Sequence, residues 1–181
     1  MTRYLRRHHL PQPVHLFASA YPDPSTPSKS LHNLLMKLEQ MDLNLFALDQ
    51  ELIGQLNEQQ LVTLATIFKE NGIVDYSDER MNKSIIQVLL PIFIGDMKIV
   101  RNYTYQDEPP LSVATSVFLG TKDSWVAPED HWGWANHSLV PCQFHQFDSG
   151  HLFVREKEVR TKIIQKISNE LVRFSQLACE V

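Results

Sequence analysis

Two residues in the second half of this 181-residue chain have the types and the setting for acid–base chemistry. Asp123 follows an apolar, β-branched run, Val113 to Leu119, in the turn Gly120-Thr121-Lys122-Asp123. His151 follows a second β-rich run, Cys142 to Phe147, in the turn Asp148-Ser149-Gly150-His151. A carboxylate beside an imidazole fixes its tautomer and stabilises the imidazolium form, which makes the histidine a general base. Taken singly, neither residue says much. An aspartate after a glycine is most often a turn residue or cap, and a lone histidine is most often a surface or satisfied core residue. Placement is what raises the pair. On parallel sheets, functional groups gather at the carboxyl ends of strands. If the two runs are adjacent strands, the loops that follow them meet. The order along the chain, acid and then histidine, is also that of the last two members of one common hydrolytic triad.

A nucleophile for this pair is not evident. The glycines are Gly54, Gly72, Gly95, Gly120, Gly133 and Gly150, and none is followed two residues later by Ser or Cys. The strained Gly-x-Ser-x-Gly turn that presents a nucleophile between strand and helix is therefore not in this sequence. Ser19 falls on a predicted strand. Ser149 is a near neighbour of His151, and backbone neighbours seldom aim at each other. Cys142 reads as a packed core thiol. Neither Cys142 nor Cys179 sits in a Cys-x-x-Cys motif, so no disulfide framework follows. His8, His9, His15, His32, His131 and His145 lack metal-ligand spacing and are expected to serve surface or packing roles. No metal and no bound cofactor are expected.

The elements that would position the pair can be read from periodicity. Val14 to Ala20 is a strand bounded by Pro13 and by a Pro/Ser-rich loop over 22–30; 113–119 and 142–147 are two more. The unalternating run 113–119 suits a strand buried on both faces of a parallel sheet. Between the first two strands, 31–69 has helical spacing through Leu31, Leu34, Leu35, Leu38, Leu45, Leu48, Leu52 and Leu56, and Asn71-Gly72 reads as a helix stop. A further helix is predicted over 78–101, with Ile85, Ile86, Leu89, Phe93, Met97 and Val100 on one face and a kink at Pro91. Pro128 can open a short helix carrying Trp132 and Trp134. With His137, these tryptophans are expected to pack that helix on the sheet near the acid loop. The last segment, 156–178, is an amphipathic helix with a stripe of Val159, Ile163, Ile167, Leu171, Phe174 and Leu177. Strands alternating with helices predict an α/β fold: three parallel strands with flanking helices. The insert 22–105 is too long for a simple crossover and reads as a helical lid.

Composition sets limits on partners. Hydrophobic residues make up 43% and charged residues 21% of the chain, with a net charge of −4; such a balance gives no strong field for nucleic acid or a membrane surface. The short basic cluster Arg3 to His9 reads as a solvated helix end. The polar start, Tyr4-Leu5-Arg6-Arg7-His8-His9, is unlike a secretory leader. The longest apolar stretch, Ile85 to Val100, is broken by Gln87, Pro91, Gly95 and Asp96, short of the roughly 18 uninterrupted residues of a span. A soluble, cytoplasmic protein is expected.

Several motifs in order give a family likeness. Leu89-Leu90-Pro91-Ile92-Phe93-Ile94-Gly95-Asp96 is followed by Tyr103-Thr104-Tyr105 and by Glu108-Pro109-Pro110-Leu111. Then come Gly120 to Asp123, Trp134 to His137, and Gly150-His151-Leu152-Phe153. This series resembles the type II thioesterases, the discrete α/β-hydrolases that accompany nonribosomal peptide and polyketide synthetases. Leu5-Arg6-Arg7 and Pro13 to Ser19 are similar to the end of that family's post-nucleophile helix and its next strand. The likeness is weakest over 31–80. Gly95 stands where the family often has arginine, Leu152 where it has phenylalanine, and Ser149 where it has glycine.

The resemblance implies the C-terminal part of an α/β-hydrolase fold over 1–181, with 22–105 as the lid that shapes an acyl channel. It implies hydrolysis of acyl thioesters on the phosphopantetheine arm of acyl or peptidyl carrier proteins. His151 would be the base and Asp123 its orienting acid. The serine and its oxyanion donors would come from a missing N-terminal portion. The alternative is an inactive remnant, or a non-catalytic module that binds carrier proteins. A strand 14–20 without an outer neighbour would also leave an exposed sheet edge.

Overall fold

The computed structural model describes residues 1–26, 53–70 and 79–179, together with His32, Met36 and Glu39; over 79–87 and 177–179 it describes the backbone alone. The expected positions Leu31, Leu34, Leu35, Leu38, Leu45, Leu48 and Leu52 and the Asn71-Gly72 stop lie outside the described residues. Contacts divide the chain into two compact units, Met1–Lys29 with Gln106–Val181, and Ser30–Tyr105. Residues 21–26 are fastened into the first unit by hydrogen bonds from Asp23 N to Asp130 O and from Trp134 Nε1 to Tyr21 O.

The first unit is built on a parallel sheet of β1 (His15–Ser19), β2 (Ala114–Gly120) and β3 (Gln143–Phe147), in that order across the sheet. Ala18 is level with Val117, and Val117 with Phe144. As the apolar run predicts, β2 is central, and every residue from Thr115 to Gly120 is buried. Alternation sends Phe118 to one face and Val117 and Leu119 to the other.

On the first face Phe118, Phe147, Phe153 and Ile163 form a core with Phe17, Val159 and Ile167. Val159, Ile163 and Ile167 come from the final helix of this unit (Lys157–Cys179) at the predicted spacing. The stripe outruns the core: Leu171 and Phe174 are 46% and 43% exposed. On the other face Ala18, Val117 and Leu119 pack with Trp134, Cys142 and Phe144. Trp134 comes from a 3₁₀ segment, Pro128–His137, opened by proline at its first turn.

The amino-terminal helix, α1 (Thr2–Arg7), also belongs to this unit. Its basic cluster is not simply solvated. Arg6 donates to Pro109 O and Pro110 O and pairs with Glu108 at 2.9 Å, and Arg3 donates to Gln106 O. Carbonyls that a proline-rich segment cannot use in secondary structure give these guanidinium groups their partners. His8 and His9 remain exposed.

The second unit contains α2 (Glu58–Glu70) and α3 (Glu79–Asn102). A reciprocal cap opens α2: Asn57 Oδ1 accepts from Gln60 N at 2.9 Å while Gln60 Oε1 accepts from Asn57 N at 3.0 Å, so two orphan donors are satisfied at once. Leu61, Leu64, Ala65 and Phe68 are its buried positions. Phe68 meets Phe93 edge-on, with ring centroids 5.0 Å apart. The buried face of α3 is Leu90 and Ile94, one position on from the predicted Leu89 and Phe93, which are half-buried. The helical assignment continues through Pro91, which lies inside α3.

With the last helix numbered α4 (Lys157–Cys179), the order among the described residues is α1-β1-α2-α3-β2-β3-α4, with one 3₁₀ segment between β2 and β3 and a second, Phe153–Arg155, between β3 and α4.

Candidate active site

The turns after β2 and β3 are locked together by backbone. Thr121 N donates to Phe147 O at 2.8 Å and Lys122 N to Ser149 O at 3.0 Å. Lys122 adds an exposed ion pair with Asp148. Gly120 is required here: a Cβ would stand 2.5 Å from Ser149 O and 2.7 Å from Gly150 O. Only a glycine lets the end of β2 run this close to the loop bearing His151.

Asp123 and His151 meet across this junction. His151 Nδ1 lies 2.8 Å from Asp123 Oδ2. The other carboxylate oxygen, Oδ1, accepts from Trp125 N at 2.8 Å and Val126 N at 3.0 Å. The Asp123 side chain is fully buried, whereas that of His151 is 23% exposed. A carboxylate accepts only, so the shared proton resides on Nδ1 and the lone pair of a neutral His151 is at Nε2. The same turn supplies Trp125, whose ring stacks on the imidazole at 5.1 Å and 14°. The imidazole is thus fixed in tautomer by one residue of the acid turn and in plane by another. Such a histidine can take a proton from a nucleophile at Nε2 and return it to a leaving group.

The other sequence candidates are placed elsewhere. Ser149 is buried, and its hydroxyl donates to a carboxylate oxygen of Glu156. Cys142 packs on the Ala18, Val117 and Leu119 cluster, where burial pushes its thiol up, opposite to what a thiolate nucleophile requires. Ser19 is exposed at the end of β1. Among the described residues, no hydroxyl or thiol is hydrogen-bonded to His151, and no group of three or more His, Cys, Asp or Glu could hold a metal ion.

Sequence reasoning missed three contributors: Trp125, His131 and Asp23. His131 is completely buried and its Nδ1 donates to Ala127 O at 3.1 Å. Asp23, 2% exposed, pairs with His137 Nε2 and accepts from Ser25 and Thr26. Burial opposes its charge, but the hydrogen bonds from Ser25, His137 and Thr26 prevail and hold its carboxyl below the usual range. Arg3 reaches the remaining His137 nitrogen at 3.1 Å.

This sheet, with an acid and a histidine on consecutive strand ends, can be set beside known proteins. The thioesterase RedJ of the prodiginine pathway in Streptomyces coelicolor superposes with a TM-score of 0.69 at 20% identity, over 93% of this chain and 54% of that one. The type II thioesterase BorB of the borrelidin cluster superposes with a TM-score of 0.61 at 21% identity, over 94% of this chain and 58% of that one. The fold is that of an α/β-hydrolase. Its structural neighbours include type II thioesterases of secondary-metabolite pathways. In sequence, a protein named linear gramicidin dehydrogenase LgrE, from Brevibacillus parabrevis, is 26% identical over 160 residues, which are 87% of this chain and 52% of that protein. The chain spans about half the length of each of these relatives. No family model matches it. No helix among the described residues is long and apolar enough to cross a membrane.

Proposed function

We propose that this chain carries the acid–base arm of a thioester hydrolase acting on acyl groups held by the phosphopantetheine arm of acyl or peptidyl carrier proteins. The observation behind this reading is the Asp123–His151 bond at adjacent strand ends, with the far carboxylate oxygen held by two backbone donors. The likeness to thioesterases of biosynthetic pathways supports the proposed thioester substrate. In this reading a serine attacks the thioester carbonyl and His151 Nε2 accepts its proton. The histidine then protonates the departing pantetheine sulfur, and water, deprotonated by the same nitrogen, releases the acid. Asp123 stabilises the imidazolium at each stage. The serine and its oxyanion donors come from residues outside these 181, in the same or a separate polypeptide. The insert over 22–105 serves as the lid over the acyl chain.

The gramicidin relative is named a dehydrogenase. A second reading, a non-catalytic carrier-binding module or inactive remnant, is favoured by one observation: no described hydroxyl or thiol is bonded to His151.

The test is complementation. The chain alone should hydrolyse an acyl-pantetheine thioester no faster than its Asp123→Asn and His151→Ala variants. Mixed with a thioesterase fragment bearing the Gly-x-Ser-x-Gly turn, it should gain turnover that His151→Ala abolishes. Complemented turnover that survives His151→Ala overturns the proposed role. Carrier-protein binding with no turnover in any mixture supports the second reading. DNA upstream of Met1 encoding such a turn would favour the first.

A further inference from the structure

His131 combines two properties that are costly together. Its side chain is completely buried, and its Nε2 has no hydrogen-bond partner among the described residues. A buried, unpaired acceptor loses its hydration without compensation, so an apolar side chain of similar size would be the more stable choice if this position only filled space. What the imidazole supplies is the donor at Nδ1, which bonds the carbonyl of Ala127 at 3.1 Å.

Ala127 ends the segment on which the pair depends. Within Asp123 to Ala127, the backbone of Trp125 and Val126 grips Asp123 Oδ1, Asp123 Oδ2 meets His151, and the Trp125 ring lies on the imidazole. The turn is therefore tied at its first residue by its own amides. At its last residue the Ala127 carbonyl takes two donors, Asp130 N at 3.0 Å and the Nδ1 of His131, four residues on in the 3₁₀ segment. Burial holds the imidazole below its ordinary range against the opposing Ala127 and Pro128 carbonyls and the Asp123 and Asp130 carboxylates.

We infer that His131 is a positioning residue for the acid–base pair: its Nδ1–H pins the Asp123–Ala127 turn and so holds both the carboxylate and the Trp125 ring against His151. This deepens the proposed function, since it assumes that the Asp123–His151 pair is the chemical centre.

The experiment reads the pair directly and needs no turnover. In the full chain, the Nδ1–H proton of His151 should give a low-field proton resonance sheltered from exchange with water. His131→Leu removes the donor while keeping an apolar side chain of similar bulk. It should speed exchange of the His151 proton on the order of tenfold, the consequence of losing about one buried hydrogen bond. His131→Asn carries an amide nitrogen where Nδ1 stands and should restore the sheltered resonance. An unchanged exchange rate in a folded His131→Leu protein overturns the inference. So does loss of the resonance in a folded His131→Asn protein, which keeps a test available if the leucine variant does not fold. If wild-type protein lacks the resonance while Asp123→Asn changes nothing, the pair itself is absent and both readings fall. If the His131 effects appear but complemented turnover survives His151→Ala, only the assigned function falls.

Discussion

At the scale of single residues, the site depends on how closely backbone can approach backbone. Gly120 illustrates this: two carbonyl oxygens, Ser149 O and Gly150 O, occupy the space a methyl group would need. Because the obstacle is backbone, the cost falls on the contact between the turns after β2 and β3. Gly120→Ala should destabilise the chain by about 1–3 kcal/mol, typical of forced overpacking, and should weaken the Asp123–His151 bond because the turn carrying His151 must retreat. Thermal melting and the sheltered His151 resonance would check the two effects; an unchanged melt would show that the turns can part freely. The sequence makes Gly120 legible only as a turn residue. The meeting of Asp123 and His151 could be expected because strand-end placement follows from two apolar runs and a chain order. Trp125 and His131 could not, because stacking and a bond to Ala127 O exist only after the turn has folded.

At the scale of elements, boundaries and types of the strands agree closely with periodicity, whereas the way segments are tied together does not show in it. The link that leaves the first unit and the segment that returns to it are joined through two residues, Arg3 and His137. Arg3 donates to Gln106 O on the returning side and contacts His137, whose other nitrogen bonds Asp23 on the outgoing side. Gly133 gives Asp23 room, since a Cβ there would collide with its carboxylate. Asp23→Ala would remove the buried carboxylate that accepts from His137 Nε2 and from the Ser25 amide. Breaking one side of such a network typically costs about 3 kcal/mol. Urea unfolding should report a loss of that order, and Gly133→Ala should produce a comparable one. An Asp23→Ala change within about 0.5 kcal/mol of wild type, the range of ordinary surface substitutions, would show that water replaces the carboxylate. No spacing rule joins Arg3, Asp23 and His137, which is why the basic cluster reads as solvated in the sequence.

The whole first unit carries two consequences of its sheet. One is acid sensitivity. Burial lowers the pKa of His15, His131 and His145; Lys166 and His15 add to the effect on His145, and Glu170 opposes it. With folded values below the unfolded one, the unfolded chain binds protons first as pH falls, so unfolding becomes more favourable below about 6.5. Above that value both states are neutral at these sites and the effect vanishes. The melting temperature should therefore decline from pH 7 to pH 5, and less steeply in a His15→Gln, His145→Gln variant.

The other consequence is association. Among the described residues β1 pairs only with β2, so the outer edge of β1 offers backbone donors and acceptors to any extended segment. Phe17 packs on one face of the sheet and Ala18 on the other, which makes this edge apolar above and below. Leu171 and Phe174 on α4 add exposed apolar surface. Natural sheets protect such edges with charge, proline or a covering segment, and His15 to Ser19 has neither an acidic residue nor a proline. The isolated chain should be oligomeric or aggregate at micromolar concentration. Placing a lysine in the edge, as in Leu16→Lys, should shift it toward monomer in sedimentation velocity. If the proposed function holds, association through β1 should also be competed by the complementing thioesterase fragment, because that fragment's own strand would occupy the same edge. A chain that sediments as a monomer and melts reversibly would show that the edge is already covered, and would count against β1 as the place where the proposed complementing fragment pairs.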